Sequence, residues 1–178
     1  IERVLEKALS KRVPMRIAGQ AGEQVDLRGE DKTLVVCASA SDAVQEEAGQ
    51  VLCYTADAKA GYVQKLVRDW LQEVAKQEIG AMYNDFCTQI GLEDAPALRW
   101  RYMKSQWGSY NARTHTITIN ISLIIAPREA MAYLIAHEVA HIQHRNHSAR
   151  YYAHLESLYP QHREHRALLQ EYAPLVWE

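Results

Sequence analysis

The sequence has few cysteines and no long run of apolar residues. Its cysteines are odd in number, lack the spacing of a metal site and have apolar neighbours; they are Cys37, Cys53 and Cys87. This pattern favours reduced, partly buried thiols, which are typical of the cytosol. No stretch approaches the roughly 18 apolar residues that span a membrane, and no signal-peptide pattern opens the chain. We therefore expect a cytoplasmic protein with no membrane association.

The chain also lacks a strong charge of either sign. Its 178 residues carry a net charge of −2 at pH 7, which argues against a protein that binds nucleic acid mainly through phosphate contacts. The charge is uneven, since residues 101–178 are mildly basic and contain all 8 histidines. This imbalance favours a site built from histidine side chains over a phosphate-binding surface.

Alternating apolar residues separated by glycines predict a β-rich layer near the start of the chain. Residues 1–10 have the apolar spacing of a short helix, and residues 38–50 are small and polar, as in a loop or a weak helix. The segments that alternate like the strands of a meander are 14–18, 24–28, 33–37 and 51–54. We predict an N-terminal β-rich subdomain at residues 1–54 and a second domain at residues 55–178.

Helical spacing replaces this alternation from about residue 55 to residue 90. It predicts one long helix that Gly91 ends. A break at Gly61 or Gly80 is compatible with the pattern, because glycine costs roughly 1 kcal/mol in a helix. The apolar stripe is typical of a helix packed on a core, and we assign it no functional role.

The next segment predicts a short antiparallel sheet. Residues 97–103 alternate as a half-buried strand, and residues 104–122 form two β-prone arms joined by a turn at residues 111–114. Within this hairpin, Gly108 either lets the backbone approach another group closely, such as a substrate chain, or is a plain turn glycine.

Histidines are concentrated in residues 137–147, which contain the pattern H-E-x-x-H and two further histidines. On a helix, His137 and His141 lie about 40° apart on one face, so both imidazoles can bind a single zinc ion. Glu138 lies beside them and can reach a water on that metal without binding the metal itself. A catalytic zinc usually has three protein ligands, and His147 is the candidate for the third if the chain turns back. The alternative is a histidine-rich surface helix.

The helix that carries this motif is predicted over residues 127 to about 144. His144 points in the same direction as the ligands but lies almost two turns from His137. We therefore expect it to face solvent or to support a ligand, with metal binding as a minor alternative. A helix stop at residues 145–146, where asparagine accepts the left-handed conformation, would let His147 return to the metal. The histidines that we expect at the surface are His154, His162 and His165.

This set of residues predicts a hydrolytic reaction. A zinc ion held by three neutral histidines lowers the pKa of its water to about 7 and polarises a carbonyl oxygen. Glu138 then acts as the general base and later delivers the proton to the leaving amine, which is peptide-bond hydrolysis without a covalent intermediate. The edge of the hairpin can bind an extended peptide by strand addition. The residues that can donate to the developing oxyanion are Tyr110, His115, Tyr151 and Tyr152.

Several of these segments together resemble the YgjP-like metallopeptidases, which are related to the SprT-like and WLM zinc peptidases. The resemblance covers about residues 99–170. The matching segments are MKSQWGS at 103–109, Ile-Asn at 119–120, Pro127, the HEVAH motif and Asn-His-Ser at 146–148. Two positions differ from the family, because Tyr110 stands where cysteine is common and Tyr151-Tyr152 replaces a common Phe-Trp pair.

The resemblance implies a zincin-like α+β fold. Its order is an N-terminal β-rich layer, a long helix, a short antiparallel sheet, an active-site helix and C-terminal helices. It also implies zinc bound by His137, His141 and His147, with Glu138 as the general base. The two departures concern how the substrate fits and leave these four residues unchanged.

Three functions agree with the sequence. The first is a zinc-dependent metallopeptidase that acts on a peptide or protein. The second is a non-catalytic zinc-binding protein, in which the metal ties helices together and Glu138 has no role. The third is a protease acting on DNA-bound proteins, which the SprT-like and WLM relatives suggest, although the net charge does not support nucleic-acid binding.

Overall fold

The computed structural model describes residues 17–175 of the chain. The predicted helix at residues 1–10 lies outside the described residues, as does most of the predicted segment at 14–18.

The first sheet contains four strands in the order β1-β2-β4-β3. Their bounds are Gln24–Leu27 for β1, Glu30–Ala38 for β2, Ala43–Glu47 for β3 and Gln50–Thr55 for β4. Strands β2 and β4 are parallel neighbours, so the predicted meander is wrong. The prediction of a loop or weak helix at 38–50 is also wrong, because this segment contains β3. That strand is short and lies at the sheet edge, where its pairing with β4 defines it better than its own composition.

Two-residue turns connect β1 to β2 and β3 to β4. In the first turn Arg28 and Gly29 have φ angles of 53° and 80°, and in the second Ala48 and Gly49 have 47° and 81°. Two successive left-handed residues match the twist of a hairpin. The first turn also contacts the other half of the chain, since Gly29 N–H donates to the Ile125 carbonyl at 2.7 Å.

The long helix α1 spans Ala60–Gln89 without a break at Gly61 or Gly80. Its buried residues recur every four positions: Val63, Val67, Leu71, Ala75, Ile79, Tyr83 and Cys87. Gly91 follows the helix with a φ of 68° and ends it as predicted. The buried stripe packs on both the first sheet and the segment that precedes the histidine-rich helix.

The second sheet has the strand order β5-β7-β6. Its strands are Ala97–Arg101 for β5, Gly108–Asn111 for β6 and Thr116–Asn120 for β7. The predicted hairpin is confirmed, since β6 and β7 are antiparallel. However, β5 pairs parallel with β7, so the sheet is mixed and not purely antiparallel. Because β7 lies in the middle of this order, strand β6 forms one edge of the sheet.

A 3₁₀ helix at Ile121–Ile125 leads into α2, which spans Arg128–Ala140. The prediction that this helix continues to about His144 is wrong. His141 is its C-cap, and the N–H of Ile142 bonds three residues back to the Val139 carbonyl at 3.0 Å. This tighter last turn ends the helix.

Two further helices complete the described chain, α3 at Ala149–Leu158 and α4 at His162–Glu171. Helices α3 and α4 both pack against α2. The prediction that three later histidines lie at the surface holds for His154 and His165, which are partly exposed. It is wrong for His162, which is buried at the start of α4.

The α+β class and the predicted order of layers are confirmed. Within residues 17–175, every helix is too short or too polar to cross a membrane. The division at residue 54 stays a prediction.

We expect Gly29→Ala to destabilise the protein more than Gly49→Ala. Both substitutions place alanine in a left-handed conformation, which costs roughly 1–2 kcal/mol. A Cβ at Gly29 would also lie 2.8 Å from Pro127 Cγ at the start of α2, whereas a Cβ at Gly49 has no neighbour within 4 Å. The overpacking at Gly29 should cost roughly 1–3 kcal/mol more. Urea unfolding measures both losses, and equal losses would contradict a tight contact between this turn and α2.

Candidate metal centre

Three histidines converge at the C-terminal end of α2. His137 lies in the last turn of that helix, His141 is its C-cap, and the loop after it returns His147 to them. One potential ligand atom from each of the three lies within 4.8 Å of the others. The Nε2 atoms of His137 and His147 are 3.4 Å apart.

The early end of α2 brings His147 back. The predicted stop at residues 145–146 is not used, because Asn146 does not have a left-handed conformation. Instead, the chain leaves the helix at His141, and Ser148 then caps α3 by accepting a hydrogen bond from the Tyr151 N–H. A six-residue path from His141 to His147 thus connects two helix ends that meet at the site.

Hydrogen bonds fix which imidazole nitrogens are free. His141 Nδ1 lies 2.9 Å from the His144 carbonyl oxygen, and a carbonyl only accepts, so Nδ1 carries the proton and Nε2 does not. His137 Nδ1 lies 2.6 Å from the Tyr151 hydroxyl, which also lies 3.2 Å from the His137 carbonyl. In this arrangement the hydroxyl accepts from Nδ1 and donates to the carbonyl, which leaves Nε2 of His137 free.

Burial favours the neutral form of two of the three histidines. Burial, followed by the charges of His141 and His147, lowers the pKa of His137 to about 3. Burial also lowers the pKa of His147. Neutral imidazoles are the form that binds a metal ion.

His144 contributes its backbone and not its side chain. Its carbonyl orients His141, whereas its imidazole packs against His154 with ring centroids 5.5 Å apart. The support that His144 gives to a ligand thus comes from its carbonyl group, whereas the expectation concerned its imidazole.

Tyr151 packs against all three converging imidazoles. Its ring is fully buried, and its centroid lies 4.7 Å from that of His141, 4.8 Å from that of His147 and 5.5 Å from that of His137. Sequence reasoning considered this tyrosine as an oxyanion donor and as part of a pair that differs from the family. Because its hydroxyl bonds to His137 behind the site, Tyr151 positions the histidines instead. The sequence signal for its burial is its helical spacing with Leu155 and Leu158 after the Ser148 cap.

Tyr110 and His115 bind each other. The Tyr110 hydroxyl lies 3.0 Å from His115 Nδ1, and His115 Nε2 lies 3.1 Å from the Asp94 carbonyl oxygen. Tyr152 stacks against His147 with ring centroids 6.2 Å apart. Of these three aromatic side chains, Tyr110 lines the cleft at the histidines.

Glu138 is buried between α2 and β6. It is 3% exposed, and burial raises the pKa of its carboxyl group to about 8. The backbone N–H of Tyr110 donates to this carboxylate and opposes the shift. Within the described chain, Oε2 has no hydrogen-bond partner.

Gly108 permits this burial. A Cβ at Gly108 would lie 2.6 Å from Glu138 Oε1. Of the two interpretations of this glycine, close approach is therefore the one that fits, and its partner is Glu138 and not a substrate chain. Glycine lets the strand backbone lie directly on the carboxylate.

Asn120 holds the segment that leads to Gly108. Its side-chain amide donates to the carbonyl groups of Met103 and Gln106, at 2.9 and 3.0 Å, and accepts from the N–H of Ser122 at 3.1 Å. Asn120 is fully buried, so these bonds replace contacts with water. Sequence reasoning noted this asparagine only through the family resemblance.

The donor set fits a metal ion. Two nitrogen ligands at 2.0–2.1 Å from a tetrahedral zinc ion lie about 3.3 Å apart, which is close to the 3.4 Å between the Nε2 atoms of His137 and His147. His141 supplies the third nitrogen. Glu138 places a carboxyl group beside the cluster without belonging to it, and this set is typical of a catalytic site.

Comparisons with known proteins assign the chain to a family. The family model of the YgjP-like metallopeptidase domain matches residues 1–172. No curated protein matches the chain. Two similar solved structures are metallopeptidase zymogens, jannalysin of Methanocaldococcus jannaschii and abylysin of Pyrococcus abyssi. The first is 18% identical with a TM-score of 0.47 over 53% of this chain and 95% of that chain. The second is 21% identical with a TM-score of 0.45 over 51% of this chain and 87% of that chain.

The family match extends over nearly the whole chain, including the first sheet. The protein belongs to the YgjP-like metallopeptidase family and is a metal-dependent peptidase.

Proposed function

We propose that the protein is a zinc-dependent peptidase in which His137, His141 and His147 hold the zinc ion and Glu138 is the general base. The observation that carries this proposal is the convergence of three imidazoles beside a buried carboxyl group. A zinc ion at this position supplies Lewis acidity to a peptide carbonyl and to a water molecule.

The protein prepares the histidines for this role. The His144 carbonyl and the Tyr151 hydroxyl each bind the Nδ1 side of an imidazole and direct its Nε2 toward the cluster. Such supporting bonds orient metal ligands and raise their basicity. Tyr151 also fills the space behind the rings, which limits their rotation.

Glu138 is suited to move a proton. Its pKa of about 8 lies near neutral pH, so the carboxyl group can both accept and release a proton during turnover. The Tyr110 N–H and the Gly108 backbone fix its position. Glu138 accepts a proton from the attacking water and delivers it to the amine that leaves.

The cleft at the histidines is suited to an extended peptide. Strand β6 is a sheet edge, and Gly108–Asn111 lies along a cavity of about 590 Å³ that also reaches His141 and Glu138. A peptide strand can pair with such an edge through backbone hydrogen bonds and place one of its amide groups at the zinc site.

Glu138→Gln should abolish peptide hydrolysis while zinc binding remains. The substitution keeps the shape of the side chain but removes its ability to take a proton, so the rate should fall by about 10²–10⁴-fold. Peptide cleavage and zinc content are measured on the same sample. Full activity in this variant would contradict the assignment of Glu138 as the general base.

Gly108→Ala should reduce activity by moving Glu138. The added methyl group would displace the carboxylate, and a misplacement of about 1 Å costs roughly 100-fold in rate. Zinc binding should not change, because the three atoms nearest to a Cβ at Gly108 all belong to Glu138. Gly80→Ala is a suitable control, since its Cβ would meet only Trp100 at 3.9 Å. Equal activity of the two variants would argue against a fixed Glu138.

His147→Ala should weaken zinc binding far more than His144→Ala. Loss of a residue that merely supports a ligand costs 10–100-fold in affinity, so loss of a ligand should exceed about 100-fold. The His144 imidazole packs on His154, and its backbone carbonyl remains in the alanine variant. Competition with a chelating dye measures both affinities. A similar loss in the two variants would contradict the assignment of His147.

A further inference from the structure

The cleft extends on both sides of His137 and Glu138. One lobe is the cavity of about 590 Å³ along β6, and the other is a cavity of about 280 Å³ between β6, α2 and α4. Gln106, Gly108, His137 and Glu138 line both lobes. A peptide that crosses the proposed zinc site therefore enters both lobes.

Each lobe contains one arginine. Arg145 lines the larger lobe and Arg166 lines the smaller one. Both are exposed. In the described part of the chain, neither forms an ion pair, unlike Arg163 on the same helix as Arg166, which lies 4.0 Å from Glu156. Their guanidinium groups are therefore available to a ligand.

The positive charge of Arg166 reaches the histidines. It contributes to the lowered pKa of both His137 and His147. It also lowers the pKa of Tyr133, which lines the same lobe, against the larger effect of burial.

Carboxyl groups do not balance these arginines. Among the described residues that line the two lobes, Glu138 is the one acidic residue, and it is buried against Gly108. The chain as a whole has a net charge of −2. The cleft thus has the opposite charge balance from the rest of the molecule, and such a cleft attracts ligands of negative charge.

We propose that the cleft selects substrates with carboxylate groups on either side of the cleaved bond, which Arg145 and Arg166 bind in their respective lobes. This proposal rests on the proposed function for the position of the bond. Arginine binds carboxylates through two parallel hydrogen bonds, which gives both affinity and orientation. The carboxylate comes either from an aspartate or glutamate side chain or from the C-terminus of a short peptide.

The binding test uses nonapeptides that are identical except for Glu, Gln or Lys at positions 3 and 7, each with an amidated or a free C-terminus. Calorimetry on zinc-loaded Glu138→Gln protein measures affinity without turnover. The Glu peptide should bind about tenfold more tightly than the Gln peptide, and the Lys peptide most weakly. A gain limited to free C-termini would identify the peptide end as the source of the carboxylate.

Variants then assign the effect to the arginines. Arg145→Gln and Arg166→Gln, each combined with Glu138→Gln, should reduce the preference for Glu, and the two together should remove it. Arg163→Gln should leave it intact, because that side chain lines neither lobe and lies 4.0 Å from Glu156. High salt should weaken the preference, as for any exposed charge pair. A preference for Glu that persists without both arginines, or equal affinity for all three peptides, overturns the proposal.

Cleavage by the unsubstituted protein separates this proposal from the proposed function. A digest of peptides from a whole proteome, analysed by mass spectrometry, should show acidic residues enriched near the cleavage sites. Cleavage without enrichment and with equal binding keeps the peptidase and overturns the carboxylate site. Preferential binding of the Glu peptide without any cleavage keeps the carboxylate site and overturns the proposed function.

Discussion

Close packing of three imidazoles at the end of α2 is the constraint on which the site depends. Neutral imidazoles have no mutual attraction strong enough to hold this arrangement, so other groups must hold it. The fully buried ring of Tyr151 contacts all three, and the His144 carbonyl fixes His141. The surrounding elements act mainly by keeping α2 and α3 in the relative position that this packing requires.

The two sheets contribute to the site in different ways. The second sheet places Gly108 against Glu138, and Asn120 ties the preceding segment to the sheet through its amide group. The first sheet reaches the site indirectly, because its turn at Gly29 bonds to Ile125 and packs on Pro127 at the start of α2. Both ends of the active helix are therefore held by β structure or by α3.

Burial and charge act through different residues of the cleft. Burial raises the pKa of Glu138 and lowers that of His137, so the surroundings favour the uncharged form of both groups. The exposed arginines line the two lobes of the cleft, and the charge of Arg166 contributes to the lowered pKa of His137. An acidic molecule can thus contain a cationic cleft, because net charge is a sum over the whole surface.

The sequence by itself determined the long helix, the hairpin and the identities of the clustered histidines. Helical periodicity predicted α1, alternation predicted the β6–β7 hairpin, and the H-E-x-x-H spacing placed His137 and His141 on one face, since these are properties of neighbouring residues. Tertiary structure decided the rest. Parallel pairing of β2 with β4 and of β5 with β7, the end of α2 at Ala140 and the burial of His162 depend on contacts between distant segments. Tyr151 behind the histidines, Gly108 against Glu138 and Arg166 in the cleft likewise come from elements whose approach is not encoded in local periodicity.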